Sequence, residues 1–218
     1  MGSGKSLDLL RSAHSYEEAG RDILIAKPET DTKAGELVST RLKVGEIALT
    51  RQPDLLVTQS TDLEKEVLSL RHARQMDLAM IADQGDETIF NYDALLVDEA
   101  QFLSPDHVNQ LRRIATMGNI SVIAYGLLTD FQTKLFPGSQ RLIELSDVHE
   151  VLITICRCGS QARFNTRKIN GVFTFEGDQV AIDGKSSVEY VALCSRDYEY
   201  EKSRWLADQK SQQYNKQI

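Results

Sequence analysis

Leu7, Leu10 and Ala13 recur three apart among polar residues, so residues 5–19 are expected to form a helix that Gly20 ends. The next apolar run, Ile23-Leu24-Ile25-Ala26, is continuous and closes at Lys27-Pro28, the pattern of a short buried strand. Residues 29–35 have loop composition. Leu63, Val67 and Leu70 then share one face of a helix over about residues 62–74. Ala94-Leu95-Leu96-Val97 is a second continuous apolar run that breaks off at Asp98-Glu99, as in a buried parallel strand carrying carboxylates at its C-terminal edge. Ser104 can cap the helix that follows, Pro105 suits its first position, Val108, Leu111 and Ile114 keep its period, and Gly118 can end it. Residues 120–125 read as another core strand.

Strands alternating with helices over residues 1–150 predict an α/β domain with a doubly wound, mainly parallel sheet. The texture changes after residue 150. Asn170-Gly171 between Thr-, Val- and Phe-rich segments signals a hairpin, and residues 188–193 read as a strand beside the cysteines. Residues 151–198 are therefore expected to form a small β module. Residues 199–218 are charged and Gln-rich, expected as frayed helix or disorder. No internal repeat is present.

The chain has 218 residues, 24.5 kDa and 41% apolar residues, enough for one full core and a small appended module. A net charge of −7 gives no basic footprint for nonspecific nucleic-acid binding. No apolar run is long enough for a membrane span or a signal peptide, which places the chain in the cytoplasm as an expectation.

Gly4-Lys5-Ser6 at the mouth of a helix matches the end of a Walker A phosphate loop, in which backbone N–H groups and the helix N-terminus hold phosphate oxygens. Lys5 would meet the β- and γ-phosphates of ATP, and Ser6 would give its hydroxyl to Mg²⁺. The full pattern needs a glycine five residues before Gly4 and a strand feeding the loop, both of which would precede Met1. Asp98-Glu99-Ala100-Gln101 fits a Walker B edge, with Asp98 on the magnesium hydration shell and Glu99 on the nucleophile. Glu99 would orient water in an ATPase or accept a substrate hydroxyl proton in a kinase, and the local motif fits both.

The whole set of motifs resembles the type II thymidine kinase family over nearly all of residues 1–198. Met1-Gly2-Ser3-Gly4-Lys5-Ser6 looks like the second half of that family's phosphate loop, where an internal methionine stands at the position of Met1, so the resemblance points to a start assigned downstream of the true one. Ser39-Thr40-Arg41 is similar to a segment ending in a phosphate-proximal arginine. Asp98-Glu99-Ala100-Gln101-Phe102 is similar to the acidic motif, and residues 125–131 with Phe136-Pro137-Gly138-Ser139 resemble the nucleoside-pocket strand and loop. The resemblance implies a P-loop NTPase-like kinase with a zinc-ribbon-like C-terminal module. It implies ATP bound by residues 1–6, Arg41 and residues 98–101, and Glu99 as general base for the 5′-hydroxyl of thymidine, with deoxyuridine as a second substrate. It further implies a nucleoside slot of Met1, Phe102, Leu127, Phe131 and Phe136. A covering loop between Gln179 and Gly184, with Val180, Ala181, Ile182 and Asp183, joins Tyr190 over the nucleoside. A homotetramer and feedback inhibition by dTTP follow from the same likeness.

Cys156 and Cys158 form a Cys-x-Cys pair, Cys194 stands alone, and three residues beyond it the family's usual His or Cys is Asp197. Three thiolates and an Asp oxygen can hold structural zinc, the alternative being a lost site with inert buried thiols. Two further readings stay open on the sequence. A DEAQ-type ATPase or helicase is motivated by residues 98–101, and a degenerate nucleotide-binding protein by the absent loop glycine.

Overall fold

A computed structural model of the chain describes residues 3–29, 37–44, 47–75, 92–177, 179 and 187–215; side chains at 40–44, 47–48, 71–75 and 212–215 lie outside the description. The chain divides into two compact units, one of Gly4–Leu127 with Phe136–Glu150, the other holding Leu128–Leu135 and Val151–Ile218.

In the first unit, α1 (Lys5–Glu18) leads through Gly20, at φ 70°, into β1 (Ile23–Pro28). Next come β2 (Val38–Val44), β3 (Ile47–Arg51), β4 (Leu55–Val57), α2 (Leu63–Gln75) and β5 (Ala94–Val97). A 3₁₀ turn (Ala100–Phe102), α3 (Pro105–Gly118), β6 (Ser121–Ala124) and α4 (Pro137–Leu145) complete it. The main sheet is parallel, in the order β4-β1-β5-β6. Leu24, Ala26, Leu95 and Val97 project from one face onto Leu63 and Val67 of α2 and Val108, Leu111 and Ile114 of α3. Strand alternation sends Ile23, Ile25, Ala94 and Leu96 to the other face, where they are equally buried, which is why these strands read as unbroken apolar runs.

The helix start at Ser104 is a full capping box: the Ser104 hydroxyl accepts from His107 N–H and His107 Nδ1 accepts from Ser104 N–H. At the other end Gly118 is the last helical residue, and Asn119 takes the left-handed position at φ 52°. The antiparallel β2–β3 hairpin is not among the expected elements, although Val38, Thr40, Leu42 and Val44 alternate with Ser39, Arg41 and Lys43 along the sequence. The expected loop at residues 29–35 lies, beyond Glu29, outside the described residues.

The second unit holds β7 (Thr154–Ile155), β8 (Gln161–Ala162), β9 (Phe164–Ile169), β10 (Val172–Thr174), β11 (Val188–Leu193) and α5 (Ser195–Asn215). The β9–β10 hairpin turns at Asn170-Gly171, both at positive φ (51° and 82°), as a tight two-residue turn requires. The chain's last segment is helical through Asn215. Tyr198 and Trp205, two turns apart, anchor it on Phe164 and Phe175, an aromatic cluster that charge content alone does not reveal. No helix among the described residues is long and apolar enough to cross a membrane.

Candidate active site

The start of α1 is shaped for an anion. Gly4 sits in the left-handed region at φ 76°, a conformation that favours glycine, and delivers Lys5 and Ser6 as the first helical residues. No side chain of the described residues caps this end, so its outward N–H groups are available to phosphate oxygens. Met1 and Gly2 lie outside the described residues.

Asp98 follows directly from β5, with its backbone N–H still donating to the Ala26 carbonyl at 3.0 Å. It is 3% exposed, and burial pushes its carboxyl up to about 6, reinforced by the neighbouring Glu99 charge. The Glu99 backbone N–H and the charges of Lys5 and Lys27 pull the other way, so Lys5 and the acidic edge act on one another. Asp98 Oδ1 is buried without a hydrogen-bond partner among the described residues. A buried carboxylate oxygen in the field of Lys5 is a hard oxygen donor, which suits magnesium and its waters.

Glu99 lies at φ 47°, ψ 40°, unusual for a residue with a side chain, and thereby turns the chain from strand to 3₁₀ turn. Two interactions hold the turn in place. Ala100 N–H donates to the Tyr125 carbonyl at 2.8 Å, and Gly138 packs so closely beneath it that a Cβ would press into the carbonyls of Leu103, Ala100 and Gln101. Ala100 and Gln101, expected among the nucleotide-binding residues, are 0% and 2% exposed. Gln101 Nε2 donates to Glu99 Oε2 at 2.5 Å, while its Oε1 accepts from Leu127 N–H at 3.0 Å. Ser139 Oγ in turn donates to the Leu127 carbonyl at 2.6 Å.

Of the expected nucleoside contacts, Phe102 and Phe136 meet edge to face, with centroids 5.8 Å apart, and Leu127 is half-buried in the same unit. In the second unit Phe131 is 1% exposed, with the Arg167 guanidinium 3.7 Å over its ring and Tyr198 Oη donating to its carbonyl at 3.1 Å. Its loop is fixed by Asp130, whose Oδ1 accepts from Gln132 and Lys134 N–H and whose Oδ2 accepts from Gln179 Nε2. Tyr190 stands opposite Arg167 across β11 and β9. Val180, Ala181, Ile182 and Asp183 lie outside the described residues. So does the side chain of Arg41, whose backbone is in β2.

Lys27 and Thr166 are among the buried polar residues that the sequence pattern does not single out. Lys27, 1% exposed, donates its Nζ to the Leu37 carbonyl at 2.9 Å and stands one register step beyond the Ala26–Val97 pair, alongside Asp98. A lysine closing an apolar strand run was the available signal. Thr166 is 0% exposed and its hydroxyl has no partner among the described residues. Nothing in its neighbours' pattern marks it out.

The cysteines converge. The ligand atoms of Cys156, Cys158, Cys194 and Asp197 all lie within 4.8 Å of one another, with Cys158 Sγ 3.6 Å from Cys194 Sγ and Cys156 Sγ 3.5 Å from Asp197 Oδ2. Tetrahedral ligands at zinc–sulfur bonds of about 2.3 Å stand roughly 3.8 Å apart, so the group has the size of a zinc site. Hydrogen bonds from Ser160 lower the Cys158 thiol to about 6, toward the thiolate that a metal needs. Arg157 Nε donates to Asp197 Oδ2 at 3.1 Å and its Nη2 to Glu201 Oε1 at 2.5 Å, which orients the carboxylate from behind.

A family model described as thymidine kinase matches residues 1–198. Curated proteins named thymidine kinase from Streptococcus pyogenes serotype M28 and Lactobacillus acidophilus are 32% and 35% identical over 200 residues, covering 91% of this chain and 92% of theirs. One from Legionella pneumophila is 36% identical, over 91% of this chain and 85% of its own.

Proposed function

The chain belongs to the thymidine kinase family, and from that premise we propose that it transfers the γ-phosphoryl group of ATP to the 5′-hydroxyl of thymidine, with Glu99 as general base. The observation that carries the residue assignment is the buried Asp98 carboxylate, with an unpartnered oxygen, in the field of Lys5. The N–H groups at the start of α1 and the Lys5 amine hold the phosphates. Ser6 and Asp98 hold magnesium, which when bound offsets the negative charge of the triphosphate. Glu99, held at the edge of the same strand, accepts the proton of the sugar hydroxyl as its oxygen attacks phosphorus, with ADP as the leaving group. Phe102, Phe136 and Leu127 offer flat and aliphatic surface to the pyrimidine. Arg41, Phe131, Tyr190 and residues 180–183 enter this proposal through the family resemblance, as do deoxyuridine as a second substrate, dTTP inhibition and a homotetramer.

Zinc at Cys156, Cys158, Cys194 and Asp197 is part of the same proposal, as a structural ion that ties β7–β8 to the start of α5. The proposal is tested by incubating the protein with γ-labelled ATP and thymidine, deoxyuridine or deoxycytidine. Labelled thymidine monophosphate is the expected product. ATP hydrolysis stimulated by nucleic acid, with no labelled nucleotide formed, would favour the helicase-like reading instead.

A further inference from the structure

Gln101 is buried, and both ends of its side-chain amide are engaged by protein. Its amide can be oriented in one way that satisfies both neighbours: Nε2 toward the Glu99 carboxylate at 2.5 Å and Oε1 toward Leu127 N–H at 3.0 Å. The reverse orientation sets carbonyl against carboxylate and amine against N–H. The position of the amide is fixed from both sides. A Cβ on Gly126 would lie 3.0 Å from Gln101 Oε1 and 3.1 Å from its backbone nitrogen, so the strand end closes directly over it, and Ser139 Oγ donates to the carbonyl of the same Leu127 at 2.6 Å.

Glu99 itself is half-buried and begins a turn in an unfavourable backbone conformation, so its carboxylate direction is not set by ordinary strand geometry. From these contacts we infer that Gln101 is the positioning residue that aims the Glu99 carboxylate, and that it takes its own bearing from the Leu127 peptide rather than from the nucleotide. The inference rests on the reading of Glu99 as general base. It changes what the acidic motif does: Asp98 serves the metal, Glu99 the sugar hydroxyl, and Gln101 locks the second of these to the end of β6. A displacement of about 1 Å in a reacting group can lower rate about 10²-fold, so loss of this lock reads out in turnover.

The test uses the full chain with Gln101→Met, which keeps length but removes both hydrogen bonds, and Gln101→Glu, which keeps an acceptor for Leu127 N–H but loses the donor to Glu99. Both are expected to lower kcat for thymidine by about 10-fold or more while leaving KM for ATP and ATP affinity within about twofold. Placed on Glu99→Gln, Gln101→Met is expected to cause no further loss, because it acts through the group already removed. If Gln101→Met fails to fold, Gln101→Glu decides. The inference is overturned by parental kcat in these variants, by a raised KM for ATP with kcat kept, or by additive losses in the double variant. A Glu99→Gln protein with parental turnover removes the general-base reading and this inference with it, whereas an inactive Glu99→Gln beside parental Gln101 variants removes the inference alone.

Discussion

Asp98→Asn should stabilise the nucleotide-free protein at neutral pH while removing its response to magnesium. The buried carboxyl is raised from an ordinary 3.8 to about 6, and at about 1.36 kcal/mol per tenfold change in proton affinity that rise corresponds to about 3 kcal/mol against the ionised form. With the folded-state value above the unfolded one, the stability linked to the proton is fully present below about pH 3.8 and is lost as pH rises through about 6. Linkage with these values leaves about 1.4 kcal/mol of it at pH 5 and almost none at pH 8. Asparagine has no such titration, so the stability of Asp98→Asn relative to the parent should rise by about 1.4 kcal/mol between pH 5 and pH 8. Urea unfolding of both proteins in EDTA at pH 5, 6, 7 and 8 measures this directly. A difference that is flat with pH, or that shrinks as pH rises, would refute the picture of a desolvated carboxylate kept for a metal at the expense of the fold.

Lys27→Met removes a buried amine–carbonyl hydrogen bond and one of the cations acting on Asp98; a loss of about 1.5–3 kcal/mol in urea unfolding is expected, and a change below about 0.5 kcal/mol would contradict the burial. Protein purified without chelator should carry one zinc per chain by elemental analysis, and Asp197→Ala should lower that occupancy and the melting temperature together. Zinc-free protein with the parent's melting point would point to inert thiols. Thr166→Val replaces a buried, unpartnered hydroxyl with a methyl of similar shape, so melting should be unchanged or higher, and a loss above about 1 kcal/mol would show that the hydroxyl has a partner after all.

What was legible in the sequence was whatever local physics decides. The strand Ala94–Val97 is buried on both faces and so appears as an unbroken apolar run; Ser104, Pro105 and the Val108-Leu111-Ile114 period announce α3; Asn170-Gly171 supplies the two positive φ values of its turn. The acidic pair and Gly4-Lys5-Ser6 were legible as chemistry for the same reason, since each sits where an element begins or ends. Long-range pairing was not. The burial of Lys27 and the cover that Arg167 gives to Phe131 depend on partners 10 or more residues away. Gln101 was singled out as part of a nucleotide motif, and its partnership with Leu127, 26 residues on, became visible once β5 and β6 were paired.

The account stands on Glu99 as the base for a sugar hydroxyl beside the phosphate site at the start of α1. Its most direct test is a single-turnover transfer from γ-labelled ATP to thymidine by the parent and by Glu99→Gln, with ATP affinity measured in parallel. The expected result is a fall of about 10²-fold or more in the transfer rate with ATP affinity unchanged. Transfer at the parental rate by Glu99→Gln would contradict it.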